Sequence, residues 1–175
     1  IDNLIAFGID YGFEVEQISA EEIQDVSVSS TKIRKALNEG NMVLANEYLG
    51  YDYFLTGEIV KGKQLGRTIG FPTANIQIEE EYKLIPKNGV YVVRTLINEK
   101  EVFGMMNIGF NPTVNGQKQT IEVNLFDFDA DIYGKKIEVS LLQYLREEQK
   151  FGSIDLLKAQ LNQDKQNALA FVSKL

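Results

Sequence analysis

The sequence contains no histidine and no cysteine among its 175 residues. Without histidine, the chain has no Ser-His triad, no His-ligated zinc and no imidazole base. Without cysteine, it has no disulfides and no thiolate metal sites, which fits a reducing cytoplasm, the compartment in which we expect it. Any chemistry must therefore use carboxylates, hydroxyls, amides, lysine and arginine.

Positive charge and long apolar runs are also scarce. The net charge of −7 argues against broad nucleic-acid binding, which usually needs a basic face. No stretch approaches the roughly 20 consecutive apolar residues that a membrane helix requires. We therefore expect neither nucleic acid nor a membrane as a partner. Small anionic ligands remain possible, because a nest of backbone amides can bind them locally.

The first fifty residues have helical patterning. Apolar residues near helical spacing predict a helix over residues 1–11, and a short strand is possible over residues 13–18. Ser29 or Ser30 is a suitable N-cap for a helix that Gly40 ends. Residues 41–49 repeat this pattern up to Gly50, so the two helices should form a short hairpin.

From Tyr51 onward, apolar and polar residues alternate as they do in strands. Asn-Gly and Asn-Pro pairs (Asn88-Gly89, Asn111-Pro112 and Asn115-Gly116) divide these runs. A last helix is predicted over residues 153–174, with Ser153 as its N-cap. Five or six strands without helices between them favour an antiparallel barrel. The predicted strands are residues 54–60, 90–97, 101–108, 120–128 and 136–145.

A glycine-rich basic segment precedes the sequence Phe71-Pro72-Thr73-Ala74-Asn75. Glycine permits close approach of backbone N–H groups to a phosphate, and basic side chains offset its charge. Thr73 and Asn75 offer neutral oxygen ligands that suit a hard cation. From spacing alone, a surface loop with incidental basic residues is equally possible. A P-loop is excluded, because Gln64 stands where that motif needs Ser or Thr. The segment contains Gly62, Lys63, Gly66, Arg67 and Gly70.

Glu122 lies in an alternating segment whose apolar residues Ile121, Val123 and Leu125 share one face. Glu122 and Asn124 therefore share the other face. In a barrel wall that face normally meets solvent. The residues alone leave open whether Glu122 is an ordinary exposed carboxylate or a base in a cleft.

Four blocks in order resemble riboflavin kinases. The first covers residues 66–75 (GRTIGFPTAN), and the second covers residues 107–113 (NIGFNPT). The third runs from Ile121-Glu122-Val123 through Phe128 to Ile132-Tyr133-Gly134. The fourth is Tyr144-Leu145-Arg146 with Glu148 and Phe151. The resemblance implies a mainly β fold: a six-stranded antiparallel Greek-key barrel with a C-terminal helix, preceded by a short α-rich segment.

The resemblance also implies an activity and roles for residues. The activity is phosphorylation of the riboflavin ribityl 5′-hydroxyl to FMN, with ATP as co-substrate and Mg²⁺ or another divalent cation. Glu122 would be the general base, and Thr73 and Asn75 would hold the metal. ATP would bind Gly62, Lys63, Gly66, Arg67, Gly70, Thr73 and Asn75, and the flavin would bind Asn107, Gly109, Arg146, Glu148 and Phe151. This chain has Asn124 where many members of the family carry histidine, which puts a proton relay at that position in doubt.

Residues 28–34 (VSSTKIR) resemble a late nucleotide-binding motif of the FAD synthetase half of bifunctional bacterial enzymes. We therefore expect residues 1–50 to be the C-terminal remnant of an adenylyltransferase domain, and residues 51–175 to be the kinase barrel with its helix. The remnant should be inactive, because that family also needs an early histidine motif. The full-length protein would carry the adenylyltransferase domain in cis. Two alternatives stay open: a flavin-binding barrel without catalysis, and FMN adenylyltransferase activity retained in the full-length parent.

Overall fold

The computed structural model describes residues 2–16, 22–23, 26–62, 65–113 and 116–175. Its helices are α1 (Asp2–Tyr11), α2 (Ser30–Glu39), α3 (Met42–Leu49), α4 (Leu65–Thr68) and α5 (Ile154–Val172). Its strands are β1 (Glu22–Ile23), β2 (Val26–Ser27), β3 (Phe54–Val60), β4 (Ala74–Ile78), β5 (Gly89–Ile97), β6 (Lys100–Thr113), β7 (Gly116–Leu125) and β8 (Lys136–Arg146). Among the described helices, none is long and apolar enough to cross a membrane.

Six of the strands form a closed barrel in the order β3-β4-β7-β6-β5-β8, and every neighbouring pair is antiparallel. This confirms the predicted fold class, with α5 as the C-terminal helix. The sixth strand is β4, which begins directly after Pro72-Thr73. Alternation left Asn75 outside the predicted strands, whereas it pairs with both Val60 of β3 and Glu122 of β7.

The predicted turn at Asn111-Pro112 is wrong. Strand β6 continues through both residues, which pair with Lys118 and Gln117 of β7. The pairs between β5 and β6 end at Gly89 and Ile108. Pro112 thus lies in an extension of the β6–β7 hairpin past the β5 pairing, where a strand tolerates a residue without an N–H.

The helix boundaries of the first fifty residues follow the capping chemistry. Ser29 accepts a hydrogen bond from the backbone N–H of Lys32, and Gly40 ends α2 in the left-handed conformation at φ 77°. For α3, Asn41 is the N-cap and Gly50 is the C-cap in the left-handed conformation. Residues 13–16 are not in a strand, and the remainder of the possible strand over residues 13–18 lies outside the described residues.

Two apolar clusters stabilise the fold. The first fills the barrel interior and includes inward side chains such as Leu55, Ile108 and Val139. The second lies between the outer wall of the barrel and α5, where Val92 and Met105 face Ala168. One side of the barrel wall is therefore covered by α5 rather than exposed to solvent. A site shielded from solvent can form between this wall and the helix.

The α2–α3 hairpin belongs to the first cluster. Its residues Leu37 and Ala45 are buried together with the barrel interior. The hairpin is also joined to the barrel by hydrogen bonds: Lys87 N–H donates to Leu37 O at 3.1 Å, and Asn46 Nδ2 donates to Leu141 O at 2.9 Å. These contacts attach the hairpin to the barrel.

Candidate active site

Glu122 lies in the middle of β7, half-buried, between two asparagines on neighbouring strands. Asn75 of β4 is its partner on one side, and Asn107 of β6 is its partner on the other. Residues that are directly opposite across a sheet share a face, so these three side chains lie in one row on the outer wall. Glu122 lines a cavity together with Leu157 and Leu161 of α5, so it is in a cleft and not on an open surface.

Thr73 contacts the carboxylate directly. Its Oγ1 donates a hydrogen bond to Glu122 Oε2 at 3.3 Å. Next to this contact, the buried amide of Asn124 donates from Nδ2 to the carbonyl oxygen of Pro72 at 2.7 Å. Asn124 therefore fixes the turn from which Thr73 reaches Glu122, which is a structural role in this chain for the position where many family members have histidine.

The glycine-basic segment folds against this turn. A Cβ atom on Gly62 would come within 1.9 Å of Asn75 Nδ2, and one on Gly66 within 2.1 Å of Phe71 O. Glycine at these two positions thus lets the segment pack closely against Asn75 and the backbone of Phe71. Gly70 has a φ of 86° and ends the turn that follows α4. Lys63 lies outside the described residues.

Two cavities meet at Thr73. The helix cavity, of about 350 Å³, lies between the outer wall of the barrel, α5 and the segment after β8. The loop cavity, of about 460 Å³, lies between residues 67–74 and 128–133. Thr73 lines both, whereas Glu122 lines the helix cavity and Arg67 lines the loop cavity.

Four of the five predicted flavin residues line the helix cavity: Asn107, Arg146, Glu148 and Phe151. The fifth, Gly109, lies beside it, since a Cβ atom there would come within 2.0 Å of Glu148 Oε1. Of the predicted ATP residues, Arg67 and Thr73 line the loop cavity, while Gly66 lines the helix cavity. Gly62 and Asn75 are adjacent to each other, but neither they nor Gly70 line either cavity. Eight of the thirteen predicted site residues thus line one or both of the two cavities.

The side-chain oxygens near Thr73 indicate which kind of metal ion could bind there. Within the described ranges, no group of three or more carboxylates, histidines or cysteines could hold an ion. Thr73 and Asn75 supply neutral oxygens, and Glu122 supplies one carboxylate beside them. Mg²⁺ retains waters and typically takes one or two protein oxygens together with substrate phosphates, so these residues fit it when a nucleotide supplies the remaining ligands.

Several lining residues were given no role in the sequence analysis. Most are apolar side chains whose pattern indicates only that they are buried; Ile69, Phe71, Val90, Met105, Leu157 and Leu161 line the helix cavity. Lys61 and Tyr133 line the loop cavity, with the Lys61 ammonium 5.5 Å from the centre of the Tyr133 ring. Two of these residues, Leu157 and Leu161, could have been predicted to face the barrel, because the apolar residues of α5 recur at helical spacing.

Comparison with known proteins identifies the family. Residues 49–172 match the flavokinase family, described as riboflavin kinase. The chain belongs to the riboflavin kinase family. Two similar relatives are the bifunctional riboflavin kinase/FMN adenylyltransferases of Listeria monocytogenes, 44% identical over 93% of this chain, and of Escherichia coli K12, 42% identical over 94%. The chain spans 52% of the length of each of these relatives.

A solved structure has the same fold over nearly the whole chain. It is described as a macrolide-efflux protein from Streptococcus pneumoniae and is 37% identical to this riboflavin kinase family member, with a TM-score of 0.82. The match covers 91% of this chain and 52% of the Streptococcus chain. That description applies to the Streptococcus protein. The likeness supports the arrangement of barrel and helices given above.

Proposed function

We propose that this chain transfers the γ-phosphoryl group of ATP to the 5′-hydroxyl of the riboflavin ribityl chain, giving FMN and ADP. The observation that carries the proposal is the Thr73–Glu122 hydrogen bond at the point where the two cavities meet. A phosphoryl transfer needs a donor and an acceptor on opposite sides of one reacting centre. One cavity for each substrate, joined at Thr73 with the Glu122 carboxylate bonded to it, provides that arrangement.

In this proposal riboflavin occupies the helix cavity and ATP occupies the loop cavity. The helix cavity is lined by apolar side chains such as Val90 and Met105 with a few polar groups, which suits a flat, largely apolar ring system. The loop cavity is lined by Lys61 and Arg67, whose positive charges suit phosphates. The ribityl chain would extend from the first cavity toward Glu122.

Glu122 would act as the general base. Its carboxylate accepts the proton of the 5′-hydroxyl as the hydroxyl oxygen bonds to the γ-phosphorus and the bond from that phosphorus to the ADP oxygen breaks. The Thr73 hydroxyl holds Oε2, which orients the other carboxylate oxygen for the incoming hydroxyl. Positioning and charge neutralisation supply most of the catalysis in phosphoryl transfer, so the absence of histidine is no obstacle.

Thr73 and Asn75 would hold Mg²⁺ or another divalent cation together with the phosphates. When bound, such an ion neutralises the charge that develops on the phosphate oxygens. The Thr73 hydroxyl donates a hydrogen bond to Glu122, so the lone pairs of its oxygen remain available to bind a metal ion. We also propose the cytoplasm as the place of action, and an adenylyltransferase domain in cis, as the names of the longer relatives suggest.

A chromatographic assay tests the proposal. The chain is incubated with riboflavin, ATP and magnesium, and riboflavin, FMN and FAD are then separated. FMN without FAD is expected. Riboflavin binding without FMN would instead support a flavin-binding barrel, and FAD would contradict the inactive role assigned to residues 1–50.

The variant Glu122→Gln tests the mechanism. It preserves size and should lower FMN formation by roughly 10²-fold or more, because both general-base help and hydroxyl positioning are lost. Glu58→Gln is the matched control, since Glu58 is an exposed glutamate on the outer face of another barrel strand. Undiminished turnover in Glu122→Gln would remove Glu122 from the mechanism.

A further inference from the structure

Asp164 is a charged residue within the apolar face of α5. Leu157, Leu161 and Ala168 lie on the same face and pack against the barrel wall in the second apolar cluster. Asp164 itself is only 1% exposed. A carboxylate so fully removed from water needs partners that compensate for its lost hydration.

Arg146 is the main partner. Its Nε donates to Asp164 Oδ1 at 2.9 Å and its Nη2 donates to Oδ2 at 2.7 Å, a two-pronged contact. Gln160, one turn earlier on α5, donates from Nε2 to Oδ1 at 2.9 Å. The carboxylate is therefore held from two directions, and a guanidinium bound in this way has little rotational freedom.

Arg146 connects Asp164 with the helix cavity. Its side chain is 17% exposed and lines that cavity, whereas Asp164 does not. Its Nη1 donates to the backbone oxygen of Glu147 at 2.9 Å, and its guanidinium carbon is 5.9 Å from the centre of the Phe151 ring. One guanidinium thus joins α5, the end of β8 and the segment that covers the cavity.

The ion pair is not needed merely to dock the helix. Buried ion pairs can often be replaced by apolar residues of similar volume without loss of stability, and the rest of the α5 face is already apolar. What an apolar residue could not do is fix the direction of the Arg146 guanidinium and, through it, the position of Glu147 and Phe151.

We propose that Asp164 is a positioning residue for the flavin: it orients Arg146 and thereby shapes the wall of the helix cavity without touching the substrate. This rests on the proposed function, in which that cavity holds riboflavin. Because Asp164 acts on the flavin side and away from the Thr73–Glu122 contact, its loss should weaken riboflavin binding and leave the transfer step nearly unchanged.

The test is Asp164→Asn, which preserves shape and removes the charge. Hydrogen bonds between charged groups are strong, and this variant weakens the ones that orient Arg146. The KM for riboflavin, and its Kd measured by flavin fluorescence, should therefore rise about tenfold. The KM for ATP and kcat should stay within about twofold. Glu79→Gln is the control, since it removes the 2.7 Å ion pair with Lys136, an exposed pair whose two residues line neither cavity. An unchanged riboflavin KM, or an equal loss in kcat and in both KM values, overturns the proposal.

A double-mutant cycle separates positioning from general support of the fold. In an Arg146→Met background, Asp164→Asn should have no further effect on riboflavin Kd, because its effect passes through Arg146. Additive effects would overturn the proposal. If Asp164→Asn does not fold, Gln160→Leu, which removes only one bond to the carboxylate, should raise the riboflavin KM about twofold to threefold. An unchanged KM in that variant would count against the proposal. A wild-type chain that forms no FMN defeats the proposed function itself; an active wild type with an unaffected Asp164→Asn defeats only this inference.

Discussion

The hydroxyl of Thr73 and the carboxylate of Glu122 are 3.3 Å apart, and this contact joins the turn before β4 to the middle of β7. The two residues are 49 positions apart in the chain. The barrel brings them together because β4 pairs with β7 at Ala74–Val123 and Asn75–Glu122. The geometry of the proposed reacting centre is therefore a consequence of strand pairing and not of a single loop.

Thr73→Val should lower FMN formation by about 10²-fold, whereas Thr73→Ser should retain most of it. Valine has the shape of threonine without the hydroxyl, so it removes both the bond to Glu122 and the oxygen offered to the metal. The measurement is kcat and KM for ATP at saturating riboflavin. Thr95→Val is the control, because it also removes a threonine hydroxyl that donates a hydrogen bond, in this case to Glu138 O at 2.7 Å. It should lower stability and leave kcat unchanged; equal kcat losses in both valine variants would show that the hydroxyl of Thr73 has no special part.

Asn124→Asp should destabilise the protein and raise the KM for ATP. The change removes the N–H donor that bonds Pro72 O at 2.7 Å and places a buried negative charge on the same strand face as Glu122. Loss of such a buried bond costs about 1–3 kcal/mol, and a buried charge adds to it. The free energy of unfolding in urea and the ATP kinetics are the measurements.

The control for this change is Asn162→Asp. Asn162 also donates from Nδ2 to a carbonyl oxygen, that of Lys158, at 2.9 Å, but on the exposed side of α5. The control should change the free energy of unfolding by no more than about 0.5 kcal/mol. If Asn124→Asp were as mild as the control, Asn124 would not be holding the turn that presents Thr73.

The sequence predicts those parts of the fold that follow local rules. Alternation indicated five of the barrel strands, and serine and glycine caps marked the ends of α2. Strand β4 was missed because it is short and follows Pro72-Thr73, whose composition is typical of a turn. The place of Asp164 could not be predicted either, because helical spacing shows which residues share a face but not which side chain lies opposite. Likewise, the helical patterning of the first fifty residues predicted the α2–α3 hairpin but not its packing against the barrel.

Leu37→Ala should lower the free energy of unfolding by about 2–5 kcal/mol, as expected for a leucine lost from a packed core. Leu37 is 2% exposed and belongs to the cluster that fills the barrel, although it lies outside residues 49–172. Val43→Ala on the same hairpin is the control, since Val43 is 55% exposed and should have little effect. Urea unfolding with a single transition for both variants is the measurement. A negligible cost for Leu37→Ala would show that the barrel is stable without this hairpin.

Tyr53→Phe should reduce the sensitivity of the fold to alkaline pH. Burial, with a smaller contribution from the nearby Tyr51, raises the pKa of Tyr53 from 10.0 to about 12. Its hydroxyl donates to Leu84 O at 2.6 Å, an interaction that requires the protonated phenol. Between these two pH values the unfolded chain loses the proton while the folded chain keeps it, so the unfolded state binds fewer protons and stability falls as pH rises.

This contribution is complete below pH 10 and is lost as the pH rises toward 12, at up to about 1.4 kcal/mol per pH unit. At pH 8, Tyr53→Phe should lower the free energy of unfolding by about 1 kcal/mol, because the bond to Leu84 is lost. Above pH 10, the free energy of unfolding of the variant should fall less steeply with pH than that of the wild type. Tyr82→Phe is the control, because Tyr82 is 89% exposed. The measurement is the free energy of unfolding in urea at several pH values from 8 to 12. Parallel curves for wild type and Tyr53→Phe would mean that the phenol of Tyr53 titrates alike in the folded and unfolded chains.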